Sequence, residues 1–562
     1  MKRNISTPIR ATAAPICEGF IIGVGGANVE PERARELAEN AVRDSLRGDW
    51  VVNPLGKESR DFEVRKRSGQ QKIPMRSAWE LAKQLEQHRD IYSAEPELIL
   101  PGIDPDASQV FTRGELSRKS FPSKKNLPCT DEHQWSLSLS SIPEAWDLEI
   151  PDPNTGKQYG EGIVIGHPDT GFTDHPEILD ATRLLINQGY DFEADDSMAR
   201  DSMSGKNPGH GTSTASVIMS AIGPEHQPPY VSGSAPQARL VPLRVSTSVV
   251  HLSFGNLTKA IYYAADNGHH VISMSLGGPF RSRYLHRAVL YAIERGAILL
   301  AAAGNIWPWV VYPAKYDEVI AVAGCNCNKE MWSGSATGPA VDVTASGESV
   351  WRARTRRGSN FDTHRSSGTS YAVATTAGVC ALWLAYHGRD RLIERYGKEN
   401  LATVFKELLI TAGVDSPTDW DQNNHGAGIL NAEKLLQAEL PATPRAAGMK
   451  SIHAGRPPQV RTELPEIDEF VDYFPGLDAS RVKKSLVRML RTDDGKLHTI
   501  MSELGAELLF HITTNPEVRA ALANEASGRI SRSKFVEPAL SKNTKFRKNA
   551  SASLIRHLFG EK

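Results

Sequence analysis

Apolar positions near the start of the chain recur in two periods. Phe20-Ile21-Ile22-Gly23-Val24 reads as a strand. Pro31 to Leu46 places Ala34, Leu37, Ala38, Ala41 and Val42 on one helical face, with proline in the first turn where its missing N–H costs nothing. Trp50-Val51-Val52 and Asp61-Phe62-Glu63-Val64 read as paired strands, Met75 to Glu86 as a second helix, and Glu97-Leu98-Ile99-Leu100 as a last strand. The order β-α-β-β-α-β predicts a ferredoxin-like α+β domain over residues 1–100.

The pattern changes after a polar segment, 101–129, that contains Asp104, Asp106, Arg118, Lys119, Lys124 and Lys125. Beyond it, short apolar runs of strand length alternate with helical stretches, which predicts an α/β domain with a mostly parallel sheet. Gly162-Ile163-Val164-Ile165-Gly166 reads as a central strand that ends at His167-Pro168-Asp169-Thr170-Gly171. Open α/β sheets build their sites at such carboxyl ends. Gly209-His210-Gly211-Thr212 precedes a helix of small residues, Ser213 to Ile218. Val271-Ile272-Ser273-Met274-Ser275-Leu276-Gly277-Gly278 reads as a parallel strand whose terminal glycines are expected to leave the backbone open to an extended peptide. Leu299 to Gly304 is a further buried strand, followed by Asn305, whose amide can face an oxyanion. Finally, Gly368-Thr369-Ser370 opens a run from Tyr371 to Tyr386 with almost no polar face, which predicts a helix enclosed by core. Its amino end favours negative charge beside Ser370.

Taken singly, each motif has a plain structural explanation: a cap before a helix, a turn at a strand end, a solvated histidine. Their order, Asp, His, Asn, Ser, is more specific. The set Asp-Thr-Gly, His-Gly-Thr, Ser-Leu-Gly-Gly, Ala-Ala-Gly-Asn and Gly-Thr-Ser resembles the subtilisin family of serine proteases over roughly residues 130–435. The likeness extends to His175-Pro176-Glu177 and to His133-Gln134-Trp135. It implies a three-layer catalytic domain at 130–440, with Ser370 as nucleophile, His210 as general base and then acid, and Asp169 as the group that orients the imidazole. Asn305 and the Ser370 N–H would form the oxyanion hole, and Ser275, Leu276, Gly277, Ala303 and Gly304 would line the substrate. The sedolisin proteases share the Gly-Thr-Ser region but use a glutamate base, which His210 and Asn305 argue against. The chemistry fits the residue types, because a serine hydroxyl needs a base that titrates near neutrality.

The resemblance also implies that residues 1–100 are a propeptide-like domain, acting as intramolecular inhibitor or chaperone, with cleavage between Leu100 and Asn126. It admits calcium, although no oxygen-ligand loop transfers residue by residue, so no metal is assigned. Two departures stand out. Tyr371-Ala372-Val373-Ala374-Thr375 replaces the family's Met-Ala-x-Pro-His, and Ser213 stands where a second histidine is frequent. Arg352, Arg354, Arg356 and Arg357 fall where the family has a loop, either as a solvated charge run or as a bias toward acidic substrates.

Composition narrows the function classes. A formal charge of −1 gives no electrostatic case for nucleic acid or an anionic membrane, and no run of about 18 apolar residues predicts a membrane span. Five cysteines, an odd number, do not make a disulfide framework; Cys325 and Cys327 read as structural thiols. Polar residues interrupt any signal-peptide core after Met1-Lys2-Arg3, which favours a cytoplasmic setting. Residues 441–562 read as a proline-rich linker, a helical extension (482–490, 499–512, 516–526) and a basic tail, a candidate for docking a partner. The expected activity is peptide-bond hydrolysis by a serine endopeptidase; the alternatives are a silent peptide-binding pseudoprotease or a protease activated by a partner.

Overall fold

The computed structural model describes residues 16–25, 29–67, 72–99, 132–223, 230–356, 360–442, 479–490, 492–514 and 542–560. It forms two units, one from residues 1–119 together with 457–562 and the other from residues 120–456. The segment expected to be cleaved, most of the proline-rich run and the helix expected at 516–526 lie outside the described residues.

In the first unit, β1 (Ile16–Val24), α1 (Pro31–Ser45), β2 (Trp50–Pro54), β3 (Asp61–Lys66), α2 (Met75–Glu86) and β4 (Ile91–Ile99) follow the expected order. The sheet is antiparallel with order β2-β3-β1-β4. Strand β4 begins six residues earlier than its apolar pattern indicates and passes through Pro96, opposite Phe20. An edge strand tolerates a residue without an N–H. Ala34, Ala38, Ala41 and Val42 of α1 and Met75, Ala78, Ala82 and Leu85 of α2 are buried, which is the face the helical period selects.

The same unit holds α13 (Ala479–Met489), α14 (Asp494–Thr514), α15 (Thr544–Asn549) and α16 (Ala552–Phe559). The last two add helices to the stretch read as a basic tail. Phe546, Leu554, Ile555 and Leu558 are buried, while the basic residues Arg547, Lys548 and Arg556 fall in last turns, where the helix dipole favours them.

The second unit contains a nine-stranded sheet with order β14-β15-β11-β10-β9-β8-β5-β7-β6. Its strands are β5 (Val164–Asp169), β6 (Tyr190–Asp191), β7 (Arg239–Arg244), β8 (Val271–Met274), β9 (Ile298–Ala302), β10 (Ile320–Cys325), β11 (Val343–Ser346), β14 (Val414–Asp415) and β15 (Ile429–Leu430). All pairings are parallel except β14 with β15. From β5 the chain runs to β6 and β7 on one side, then crosses to β8 on the other, so the strand order reverses at β5. That reversal is a topological switch point, and Asp169 is the last residue of β5. Helices α3 (Trp135–Leu139), α4 (Ile142–Trp146), α5 (His210–Met219), α6 (Gly255–Asp266), α7 (Arg283–Glu294), α8 (Thr369–His387), α9 (Arg389–Tyr396), α10 (Leu401–Thr411), α11 (Gln422–His425) and α12 (Ala432–Gln437) complete the domain. Every residue of α8 from Thr369 to Tyr386 is buried, as the absence of a polar face requires. Among the described residues no helix is long and apolar enough to cross a membrane.

Two sequence expectations change here. The arginine-rich segment is a strand, β12 (Val350–Arg356), paired antiparallel with β13 (Asn360–Ser366). Arg354 donates to both oxygens of Asp362 (2.6 and 2.5 Å) and Arg356 lies 3.1 Å from the same carboxylate. These two cations therefore neutralise a neighbour instead of forming an unpaired run; Arg357 lies outside the described residues. Of the two cysteines read as structural thiols, Cys325 is a free buried thiol whereas Cys327 is disulfide-bonded.

Burial of charge supplies a stability test. Lys406 of α10 has a side chain 1% exposed, and its ammonium reaches Asp342 Oδ2 (2.8 Å) and the carbonyls of Asp317 (2.8 Å) and Val319 (3.1 Å). Asp342 Oδ2 also accepts the Ala321 N–H at 2.9 Å. Replacing Lys406 by Met strands a buried carboxylate and two carbonyls, so stability should fall by about 3–5 kcal/mol. A denaturant-unfolding midpoint unchanged from wild type would contradict this.

Candidate functional site

The carboxyl end of β5 and the amino end of α5 meet through two glycines. Gly171 has φ +98°, and a Cβ on Gly211 would stand 2.1 Å from the Gly171 carbonyl oxygen, so any side chain there would force the helix away from the strand end. This close approach brings His210 Nδ1 to 2.7 Å from Asp169 Oδ1. The Asp169 side chain is fully buried and that of His210 is 14% exposed, so only the ring has access to solvent.

The remaining acceptor capacity of Asp169 is used. The Thr170 N–H donates to Oδ1 (2.7 Å) and the Thr214 hydroxyl to Oδ2 (3.2 Å). Burial pushes this carboxyl's pKa upward, but the charge and hydrogen bond of His210, with His167 and the Thr170 amide, outweigh it and hold the group below the usual carboxylate range. A buried carboxylate kept ionised against one ring nitrogen fixes the other as the acceptor. The sequence reading missed His167, which lies on β5 with Nε2 3.0 Å from Thr214 Oγ1 and 3.8 Å from Asp169 Oδ2. Burial, and secondarily His210, keep it below its ordinary pKa against the pull of Asp169. Its signal in the sequence was an imidazole inside an apolar strand, two residues before the aspartate.

Ser370 lies in the first turn of α8, where its N–H has no partner four residues back. Its hydroxyl donates to the Ser275 carbonyl (3.3 Å), and the Ser275 hydroxyl donates to the Ser370 carbonyl (3.1 Å). No hydrogen bond joins Ser370 to His210 in this conformation. Asn305 follows β9 and Gly304. The Thr369 N–H, which can only donate, lies 2.9 Å from Asn305 Oδ1, and the Thr369 hydroxyl lies 2.8 Å from the same oxygen. The amide orientation is thereby set, with Nδ2 as the free donor end, 3.6 Å from where a Cβ on Gly368 would stand.

The other residues expected along a bound peptide are already paired. The Gly277 N–H donates to the Val249 carbonyl (3.0 Å) and its carbonyl accepts from the His251 N–H (2.9 Å). Gly278 exchanges both bonds with Tyr312 (2.9 and 2.8 Å). The expectation of an open backbone at these glycines is therefore corrected: a parallel bridge between Val250 and Gly277 fills one edge and an antiparallel one between Gly278 and Tyr312 the other. Ala303 is bonded to Val322 and Val311, and Gly304 to Thr369 and Ala336. The Leu276 side chain is buried.

The departures from the family pattern have local partners. Ser213 Oγ donates to the carbonyls of Gly209 (3.0 Å) and Ala353 (2.8 Å), tying α5 to β12, and Ser216 Oγ accepts the Ala353 N–H (2.9 Å). Thr375 returns its hydroxyl to the Tyr371 carbonyl (3.0 Å) inside α8. Among the described residues no group of three or more His, Cys, Asp or Glu side chains is placed to hold a metal ion, so the calcium admitted by the resemblance finds no such cluster there.

Comparison with known proteins agrees with the motifs. A model of the subtilase family matches residues 160–428. Thermitase of Thermoactinomyces vulgaris is 33% identical over 279 residues, covering 49% of this chain and 91% of thermitase. Subtilisin Savinase of Lederbergia lenta is 32% identical over 310 residues, covering 53% of this chain and 97% of Savinase. Fervidolysin from Fervidobacterium pennivorans, described as a keratinolytic enzyme related to subtilisin, shares the fold with a TM-score of 0.54 at 18% identity, covering 76% of this chain and 62% of fervidolysin. The chain belongs to the subtilase family, peptidase S8, and is a serine endopeptidase.

Proposed function

We propose that the chain hydrolyses peptide bonds through an acyl-enzyme on Ser370. Ser370 Oγ bonds to the substrate carbonyl carbon while His210 Nε2 takes the hydroxyl proton; the carbonyl oxygen becomes an oxyanion held by Asn305 Nδ2 and the Ser370 N–H. The C–N bond then breaks as His210 returns the proton to the leaving amine. Water attacks the resulting ester with His210 again as base, releasing the acid and restoring Ser370. Asp169 stays ionised throughout and stabilises the imidazolium. The observation that carries this reading is the 2.7 Å bond between a fully buried, charge-holding Asp169 and the ring of His210.

Reaction from this conformation needs two movements. Ser370 must turn from the Ser275 carbonyl toward Nε2, as catalytic hydrogen bonds absent from a free enzyme often form only with substrate bound. A peptide that pairs with Gly277 takes the place held by Val249 and His251, so this segment must peel away. These contacts favour, as the second reading, a resting form that becomes active only when substrate or a partner displaces the segment.

The N-terminal domain is read as the intramolecular inhibitor or folding aid of the same enzyme, supported by its ferredoxin-like topology and its place ahead of the catalytic domain. A fluorophosphonate probe tests the central claim: it should label the wild type, either as the full chain or after limited proteolysis has removed the N-terminal domain, and should not label Ser370→Ala treated in the same way. Folded protein freed of that domain that neither takes the label nor cuts casein would refute catalysis by Ser370.

A further inference from the structure

Helix α2 has a second face. Met75, Ala78, Ala82 and Leu85 are buried, Trp79 is half-buried at the border of that stripe, and Glu80 and Lys83 lie beyond it, on the side an isolated ferredoxin-like domain turns to water. A tryptophan at that border needs a further partner to cover it. In the structure it meets the C-terminal helices: the Trp79 and Phe510 rings are 5.9 Å apart at 57°, and Phe510 is 1% exposed. Lys83 Nζ donates to Ser553 Oγ (3.3 Å), and Glu80 Oε1 accepts the Ala552 N–H (3.2 Å).

The start of α16 is the joint. The Ser551 N–H and hydroxyl donate to Glu507 of α14 (2.6 and 2.8 Å), while the next amide, Ala552, donates to Glu80 of α2. Two carboxylates, one from each end of the chain, thus satisfy adjacent amides at the positive end of one helix. Phe546, Leu554 and Leu558 supply a buried core beneath it.

From this arrangement we infer that the C-terminal helices are a clamp for the N-terminal domain, so that cutting the chain between residues 100 and 131 does not release that domain. The consequence for activity rests on reading the domain as an inhibitor: an inhibitor held in this way persists after cleavage, and its removal needs the clamp to open as well. The partner surface is then internal, α14 and α16 recognising the outer face of α2 through Phe510, Ala552 and Ser553.

The test uses the full chain with Ser370→Ala and a recognition site for a sequence-specific protease placed in 101–131, so its result does not depend on this chain's own catalysis. After complete cutting, the N-terminal fragment should co-elute with the remainder in gel filtration at micromolar concentration. Glu80→Lys, which sets a cation against the α16 amino terminus, and separately Trp79→Ala, should each release the fragment at least tenfold faster after dilution. Circular dichroism of each uncut variant checks that it is folded; Glu80 is exposed, so its replacement leaves the domain's own core intact. Release of the fragment from the unsubstituted cut chain would overturn the proposal. Retention that neither substitution weakens would also overturn it, because something other than this face would then hold the fragment.

Discussion

Asp169→Ala is expected to lower kcat about 10⁴-fold, the scale on which a triad aspartate acts, with KM little changed. The carboxylate is buried behind His210 and does not reach substrate, so its loss acts on the ring. Without it, Nδ1 loses its acceptor, the ring can turn or adopt the other tautomer, and the imidazolium formed during attack loses its counter-charge. Asp169→Asn separates these effects. The Thr170 N–H donates to Oδ1, the same oxygen that faces His210 Nδ1, so the amide oxygen stays in that place and the amino group falls toward the Thr214 hydroxyl, which can accept. Orientation is then kept and charge alone is lost, and Asn should retain measurably more activity than Ala. Steady-state kinetics on one peptide substrate decide the matter. Equal loss in both variants would show that charge is the whole contribution, and an Ala variant near wild-type rate would remove Asp169 from the mechanism.

The residues of this site were legible because each stands where an apolar run breaks: Asp169 at the end of a strand, His210 and Ser370 at the start of helices of small residues, Asn305 after a strand that ends in glycine. Period and punctuation mark such places without any knowledge of tertiary structure. What they do not encode is which rotamer a hydroxyl takes, so the Ser370 bond to Ser275 was invisible. Nor do they encode which of two backbone segments fills the edge of a third, and Val249–His251 beside Gly277 was missed for that reason. The β12–β13 hairpin had a local signal, since Val350, Ala353 and Thr355 are buried between arginines; four basic residues in eight obscured it. Likewise the charge of 542–556 outweighed the apolar stripe of Phe546, Leu554, Ile555 and Leu558. The packing of the two chain ends against each other left one trace, Trp79 at the border of the apolar stripe of an amphipathic helix, which acquires meaning only once Phe510 is seen beside it.

The catalytic unit should unfold in mild acid, well above the pH at which its carboxylates titrate. Burial pushes His251, His269 and His387 down to about 4 and His270 to about 3. In each case burial is the largest cause; Arg389 adds to it at His270, and Arg391 and Arg395 add to it at His387. These imidazoles stay neutral in the fold, but in the unfolded chain they take up protons near pH 6.5. The unfolded state therefore binds more protons below that pH, and stability falls as pH falls from about 6.5 until the folded values are reached, after which these groups add no further slope. Each contributes about 1.4 kcal/mol per pH unit inside that window, so four acting together remove a usual stability of 5–15 kcal/mol within roughly one to three pH units. Asp169, whose folded pKa is depressed, acts lower, its contribution being present above about 3.9 and lost as pH falls through its folded value. Denaturant unfolding between pH 7 and 4.5, followed on Ser370→Ala protein to prevent self-digestion, measures the slope directly. His269 isolates one share of it, because neither of its ring nitrogens has a hydrogen-bond partner. His269→Leu breaks no polar contact and should reduce the slope by one imidazole's contribution, about 1.4 kcal/mol per pH unit. A stability that stays level across this range would mean that the buried rings are reached by protons without unfolding, and the assignment of acid sensitivity to them would fail.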